Sequence, residues 1–435
     1  MKKAIYWFRK NLRTHDNPSL NKAIKENDEL LFIYVMDLKV FNPINSDIEK
    51  IGEYRKKFLI ESILNLKKDL NRINIKLMIL DGNILEIFDD LKKYSSTVYA
   101  TKEVGTYEER EEKILYDNDF NLNLFEDQNL FESKKLPYQI EELPLIFTHF
   151  RKKVEKLVVV RDVEKFDPTI QSKNDYLSPF IIQLEHLMID TNLNSSYPFV
   201  GGENNGLNRL KNYLWKSKNI EKYKETRNGL IGTEYSSKFS AYLCLGCISP
   251  VMIYQEVKRY EKEIKKNSST YWLIFELLWR EFFRYVYLKA KNKIFLKEGI
   301  NGNIFSKNFN NDLKLFEKWK RGETGQEFID ANMKELKETG FMSNRGRQNV
   351  ASYLINNLDL NWVWGASFFE KHLIDYDVTS NWCNWMYIAG VGNNTRNWVF
   401  NPERQSELHD KKGIYRSMWL KKNGQLNINL GSNKQ

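Results

Sequence analysis

Thr339-Gly-Phe-Met-Ser-Asn-Arg-Gly-Arg-Gln-Asn-Val-Ala-Ser-Tyr353 sets two arginines and three amide side chains beside an apolar helical run. A second polar cluster follows, Asp375-Tyr-Asp-Val-Thr-Ser-Asn-Trp-Cys-Asn-Trp385. Two acids, two amides and two tryptophans in so short a span exceed what packing requires. Fixed cations facing fixed carboxylates, with indoles beside them, suit a buried polar aromatic ligand and electron traffic to it. Helical periodicity surrounds both clusters from Gly201 to about Leu420, and no strand pattern interrupts it. The spacing predicts an all-α C-terminal domain over 201–435.

The N-terminal part reads differently. Apolar runs at Ala4–Phe8, Leu30–Val35, Ile75–Leu80, Thr97–Ala100 and Leu122–Phe125 alternate with helical patterns, best developed over Glu53–Leu70. Such alternation predicts an α/β domain over 1–130 built on a doubly wound parallel sheet. No G-x-G-x-x-G follows the first strand, so a Rossmann dinucleotide site is unsupported. Asp16 or Asn17 before Pro18 is the expected helix cap there. Residues 131–200 carry scattered prolines and no sustained period, and are expected to be an interdomain connector with one helix near Phe147–Lys156.

A chain of 435 residues fits two or three domains. Its net charge of +10 is unevenly spread: residues 201–435 carry +13 and residues 1–200 carry −3. Ten of the eleven tryptophans also lie after residue 200. Basic charge with aromatics is the pairing of a surface that stacks bases and tracks phosphates; a lysine-rich composition throughout is the plainer account. Three cysteines suit a reducing compartment, and the lone Cys244-Leu-Gly-Cys247 lacks the further ligands a zinc site needs, so no metal is expected. Arg9 and Lys10 end the first apolar run too early for a signal peptide, and no run reaches membrane-spanning length. A cytoplasmic, monomeric protein without membrane contact is the expectation.

Tyr271–Leu288 is apolar around most of its circumference yet contains Glu276, with Trp272, Trp279 and Arg280 within a turn. A carboxylate in aromatic surroundings must pair, neutralise or serve a purpose. A Glu276–Arg280 pair one turn apart is the simplest account. Ser236, Ser237 and Ser240, with Lys238, bring hydroxyls, an ammonium and backbone N–H groups to a helix start, a combination that suits pyrophosphate but is also an ordinary cap.

The wording TGFMSNRGRQNVAS with DYDVTSNW resembles the photolyase/cryptochrome family, most closely its cryptochrome DASH branch. The segments ELLWREFFR and SSKFS resemble the same family, and the likeness runs from WFRKNLRTHDNP to YRSMWL. The resemblance implies FAD as cofactor, contacted by Tyr223, Ser236, Ser237, Lys238, Phe239, Ser240, Glu276 and Arg280, with Asn344, Arg347, Asp375, Asp377 and Asn381 around the isoalloxazine. In that reading Arg347 pairs with Asp375, Asp377 accepts from the ring imide and Asn381 reaches N5. It also implies a tryptophan relay through Trp385 and Trp362, whose outer position falls on Phe309, a poor hole carrier, so that photoreduction either stops early or uses Trp364, Trp319 or a nearby tyrosine.

Relatives flip a cyclobutane pyrimidine dimer out of the strand. The resemblance gives Glu276, Trp279, Asn344, Arg227, Arg345, Gln348 and Tyr387 to that pocket or its rim. Gln348 and Tyr387 stand where duplex-repairing relatives carry Met and Trp. A more polar pocket offsets less of the unstacking cost, which implies single-stranded DNA as substrate. A 5,10-methenyltetrahydrofolate antenna is expected, with Glu108 as acidic anchor; a solvated helix start explains Glu108 equally well. The implied activity is deoxyribodipyrimidine photo-lyase chemistry, repair driven by blue light. The alternative is a blue-light photoreceptor or DNA-binding regulator without turnover; such sensors usually carry long C-terminal tails, and this sequence stops soon after Trp419-Leu420. An ordinary nucleotide-dependent enzyme would need a phosphate loop that the sequence lacks.

Overall fold

The computed structural model describes residues 1–38, 51–187, 199–302, 309–394 and 398–420. Five strands, β1 (Lys3–Phe8), β2 (Glu29–Met36), β3 (Leu77–Asp81), β4 (Thr97–Thr101) and β5 (Asn121–Phe125), pair in parallel in the order β3-β2-β1-β4-β5. Side chains alternate between faces along a strand. Tyr6 and Phe8 therefore join the large core shared with helices Pro18–Glu26 and Glu53–Asn71 and with the helical half. Ile5 and Trp7 face the opposite way, onto Ile87, Phe88, Leu91 and Leu115 of helices Ile84–Leu91 and Thr106–Asp117. Both faces are covered, as the continuous apolar runs require of a parallel sheet.

The connector holds the expected helix, at Phe147–Leu157. It also contributes a strand that the sequence reading omits. β6 (Gln171–Ser172) pairs with β2 at Glu29 and Leu30. A two-residue strand has no period to detect; its pairing is set by the sheet edge it meets. Connector residues 188–198 lie outside the described residues.

The rest of the described chain is helical apart from an isolated bridge between Asn310 and Leu360. The helix expected at Tyr271–Leu288 runs Ser268–Ala290, because Asn267 caps it, accepting from the N–H groups of Ser269 and Thr270 while Thr270 accepts from Asn267. Ser343 caps helix Asn344–Asn356, accepting from the Gly346 N–H at 2.9 Å. Of the two candidates before Pro18, Asn17 is the cap and accepts from Leu20. Asp16 sits at φ 44° and instead takes Arg161 and Ser249.

Residues 9–16 leave β1 at the point where strand order reverses, the usual crevice of such sheets. Here the helical half packs against its edge. Arg13, fully buried, donates to the carbonyls of Gly246 (3.0 Å), Asp127 (2.8 Å) and Asp16 (3.0 Å). Thr14 and His15 donate their backbone N–H groups to Glu203 at 2.7 and 3.0 Å. Gly246 has φ +65°, and a Cβ there would lie 2.0 Å from the Lys10 carbonyl oxygen, so only glycine fits. No helix among the described residues is long and apolar enough to cross a membrane.

Candidate functional site

A cavity lies in the helical half. Tyr223 and the Ser236–Ser240 run line it, together with Glu276 and Arg280 of helix Ser268–Ala290. Asn344, Arg347 and Gln348 come from helix Asn344–Asn356, and Asp375, Asp377, Asn381 and Trp385 from around helix Val378–Ala389. Residues separated by more than 150 positions in sequence thus converge on one space. All thirteen positions expected around the cofactor are among its walls.

Fixed charges organise it. One Arg347 nitrogen donates to both Asp375 oxygens, at 3.0 and 2.9 Å, while its Nε donates to the Met342 carbonyl at 2.9 Å. Asp377 caps its helix, accepting from the Ser380 N–H at 2.8 Å and the Thr379 hydroxyl at 2.8 Å. Burial works against its charge, but Arg280 and Arg284 outweigh it and hold the carboxyl far below the usual carboxylate range. Arg284 reaches it at 3.7 Å. The one-turn Glu276–Arg280 pair that periodicity alone offers does not form. Arg280 donates to the Gln128 carbonyl at 2.7 Å and lies 3.3 Å from Glu281, while Glu276 pairs at 2.9 Å with Arg227, from the loop before the serine run. Burial raises the Glu276 carboxyl, and Arg227 pulls it part of the way back. Helical spacing alone favours the one-turn partner; the chain fold brings the other closer.

Lys238 lines the cavity at φ 60°, with its ammonium 3.6 Å from the Tyr235 ring centroid and 4.2 Å from that of Phe341. Loss of water pushes its pKa well down, with Glu335 opposing. Ser236 and Ser237 are fixed through their carbonyls, which accept from Arg209 at 3.0 Å each. Helix Ser240–Cys244 follows directly. Cys244 and Cys247 are buried thiols.

Asn381 tests the fit to a flavin. Its Nδ2 donates to the Ala366 carbonyl at 3.0 Å, but its buried Oδ1 has no donor among the described residues. A buried acceptor without a donor is costly. A ring system offering N–H groups between the Arg347–Asp375 and Arg280–Asp377 charges would satisfy it, so the residues present fit FAD.

Around the cavity, Trp279 stacks on Phe147 at 3.8 Å and meets Tyr387 edge-on at 5.8 Å. Arg345 donates to Asn228 at 3.1 Å. Trp362 and Trp385 are both buried, but they have different neighbours. Trp362 contacts Trp382 at 5.9 Å, whereas Trp385 contacts Phe369 at 5.1 Å and Trp319 at 6.3 Å. The Phe309 ring centroid lies 5.5 Å from the ammonium of Lys297, the residue whose carbonyl accepts from the Trp362 indole at 3.0 Å. Glu108 lies at the sheet crevice, bound to Lys10. Burial would raise this carboxyl; Lys10 outweighs it and keeps it low.

One contributor escaped sequence reasoning. Arg284 stood four residues after Arg280 in the same helix, a readable signal. Trp319, one of the substitutes for Phe309 in the relay, meets Trp385 across two helices.

Comparison with known proteins agrees with this geometry. The model for the FAD binding domain of DNA photolyase matches residues 272–430, and that for DNA photolyase matches residues 4–169. Cryptochrome DASH of Synechocystis sp. is 42% identical, over 96% of this chain and 87% of its own length. Cryptochrome DASH of Xenopus laevis is 40% identical, over 96% and 82%. A crystal structure of Synechocystis cryptochrome superposes with a TM-score of 0.91 at 40% identity, covering 96% of this chain and 88% of that one. An archaeal photolyase structure from Sulfolobus tokodaii, described with two FAD molecules, gives 0.78 at 25% identity, covering 96% and 90%. The chain belongs to the photolyase/cryptochrome family, on its cryptochrome DASH branch.

Proposed function

We propose that this protein repairs cyclobutane pyrimidine dimers under blue light, preferentially in single-stranded DNA. The observation that carries the reading is that one cavity joins the Arg347–Asp375 pair and Asn381 to the Arg227–Glu276 pair. The first group suits a flavin, and the second places a carboxyl where a lesion can be hydrogen-bonded. Bound FAD, when reduced and excited, supplies the electron that splits the cyclobutane ring and accepts it back.

The protein's own groups do the rest. Arg347 and Asp375 orient the ring, and Asp377, kept ionised by Arg280 and Arg284, accepts from it. Glu276, with its raised pKa, holds a proton more readily than an exposed glutamate and hydrogen-bonds the dimer. Trp279 and Tyr387 offer ring surface to the flipped bases, Arg227 and Arg345 meet phosphate, and Gln348 and Asn344 add polar contacts. Trp385 and Trp362 are assigned to the electron supply. A folate antenna would sit at the crevice by Glu108, whose carboxylate it would share with Lys10.

The test is to reduce the purified protein, illuminate it with dimer-containing oligonucleotides, single- and double-stranded, and quantify dimers by chromatography. Dimer loss in the single strand, depressed by Glu276→Ala with FAD retained, is the expected result. Dimers unchanged in both substrates would leave a photoreceptor or DNA-binding regulator.

A further inference from the structure

Trp398 is 41% exposed, unusual for an indole, yet its main chain is firmly held. Its N–H donates to the Ile388 carbonyl at 3.3 Å. Its carbonyl accepts from the Ser352 hydroxyl at 2.9 Å and from Asn356 at 3.2 Å. The Phe400 N–H donates to the same Ser352 hydroxyl at 3.0 Å. Two helices thus fix a short extended strip that carries large rings at alternate positions. An exposed indole on a mobile loop would need no such anchoring.

The rings are aligned. Trp398 lies within 20° of parallel to Tyr387 and within 14° of parallel to Phe400, with centroids 6.2 Å apart in both pairs. A full stack such as Phe147 on Trp279 brings centroids to 3.8 Å. At 6.2 Å near-parallel rings are displaced sideways like roof tiles, so part of each face stays uncovered. The Arg345 guanidinium lies 5.9 Å from the Phe400 centroid. Near-parallel rings with a cation beside them are what a chain of unpaired bases stacks upon, because every base has a π-face and every linkage a negative phosphate.

We propose that Tyr387, Trp398 and Phe400 form a stacking platform for an unpaired base flanking the one that enters the cavity. The proposal deepens the repair reading, since it relies on Tyr387 rimming the substrate pocket. It also gives single-strand preference a physical source. A base in a duplex is already stacked and paired, and must give up both to use the platform. A base in a single strand gives up little.

The test measures binding rather than turnover. Fluorescence anisotropy is recorded with a labelled, undamaged single-stranded thymidine oligonucleotide and with its duplex, using the FAD-loaded protein in the dark. Trp398→Leu, which keeps apolar bulk but no π-face, weakens single-strand binding about tenfold, the worth of one stacked base. Trp398→Phe restores most of it, and duplex binding stays unchanged. Flavin absorbance and thermal midpoint certify that both variants are folded. Equal single-strand affinity for all three proteins overturns the platform, as does an equal fall for single strand and duplex. If illumination repairs no dimers while the Trp398→Leu effect persists, the repair reading fails and the platform stands.

Discussion

Replacing Asp375 by Asn removes a charge at nearly constant size and keeps one acceptor oxygen. In the native chain both Asp375 oxygens take one Arg347 nitrogen, with side chains 2% and 26% exposed respectively. Breaking a fully buried ion pair costs about 3–5 kcal/mol. Here Arg347 keeps its bond to the Met342 carbonyl and some contact with water. The loss therefore falls to about 1.5–3 kcal/mol, the scale of a hydrogen bond to a charged group. Urea unfolding of Asp375→Asn, Arg347→Met and the double variant reads it, both stripped of cofactor and loaded with FAD. The cycle should return a coupling of at least about 1 kcal/mol, as expected for groups in contact. The loaded variants should also release FAD at lower urea, since ligand binding to the folded state adds to stability by mass action. Losses that simply add within about 0.5 kcal/mol would refute the pairing as the feature that organises the cavity.

Two further outcomes follow from buried contacts. Burial pushes the Glu335 carboxyl up to about 7, although the Tyr415 hydroxyl donates to it at 2.5 Å. The folded state holds a proton that the unfolded chain releases nearer its ordinary 4.5, so this stability is full below that value and is lost as pH rises through about 7. Glu335→Gln should flatten the fall in stability between about pH 5 and about pH 8, by at most about 3 kcal/mol; identical pH profiles would contradict this. A Cβ on Gly365 would meet the Trp385 ring at 2.3 Å. Gly365→Ala should cost about 1–3 kcal/mol through overpacking, less the roughly 1 kcal/mol that alanine adds to a helix interior. It should also slow flavin photoreduction by displacing the indole, and an unchanged rate with an unchanged thermal midpoint would argue against that seat for Trp385.

Much of this molecule was legible because its signals are local. Strand–helix alternation gave β1 to β5 in their observed places, and helical periodicity gave the C-terminal half. The Arg347 and Asp375 clusters stood out because polar side chains interrupt apolar periodicity there. What escaped was long-range. Glu276 had a plausible partner one turn away, and only the path of the chain brings Arg227 closer. β6 has two residues and borrows its conformation from the edge of β2. The Trp385–Trp319 contact depends on how two helices pack, which neither helix records alone.

The Arg13 junction sets how the whole molecule must fail. Three carbonyls from separate parts of the chain are bound by one guanidinium, and Gly246, six residues beyond Ser240, leaves no gap against Lys10. Prising the halves apart would cost Arg13 the Gly246 carbonyl and break the close contact of Gly246 with Lys10, so each half loses support when its neighbour melts. Release of bound flavin on heating thus becomes a gauge of the sheet as well as of the helices around the cavity.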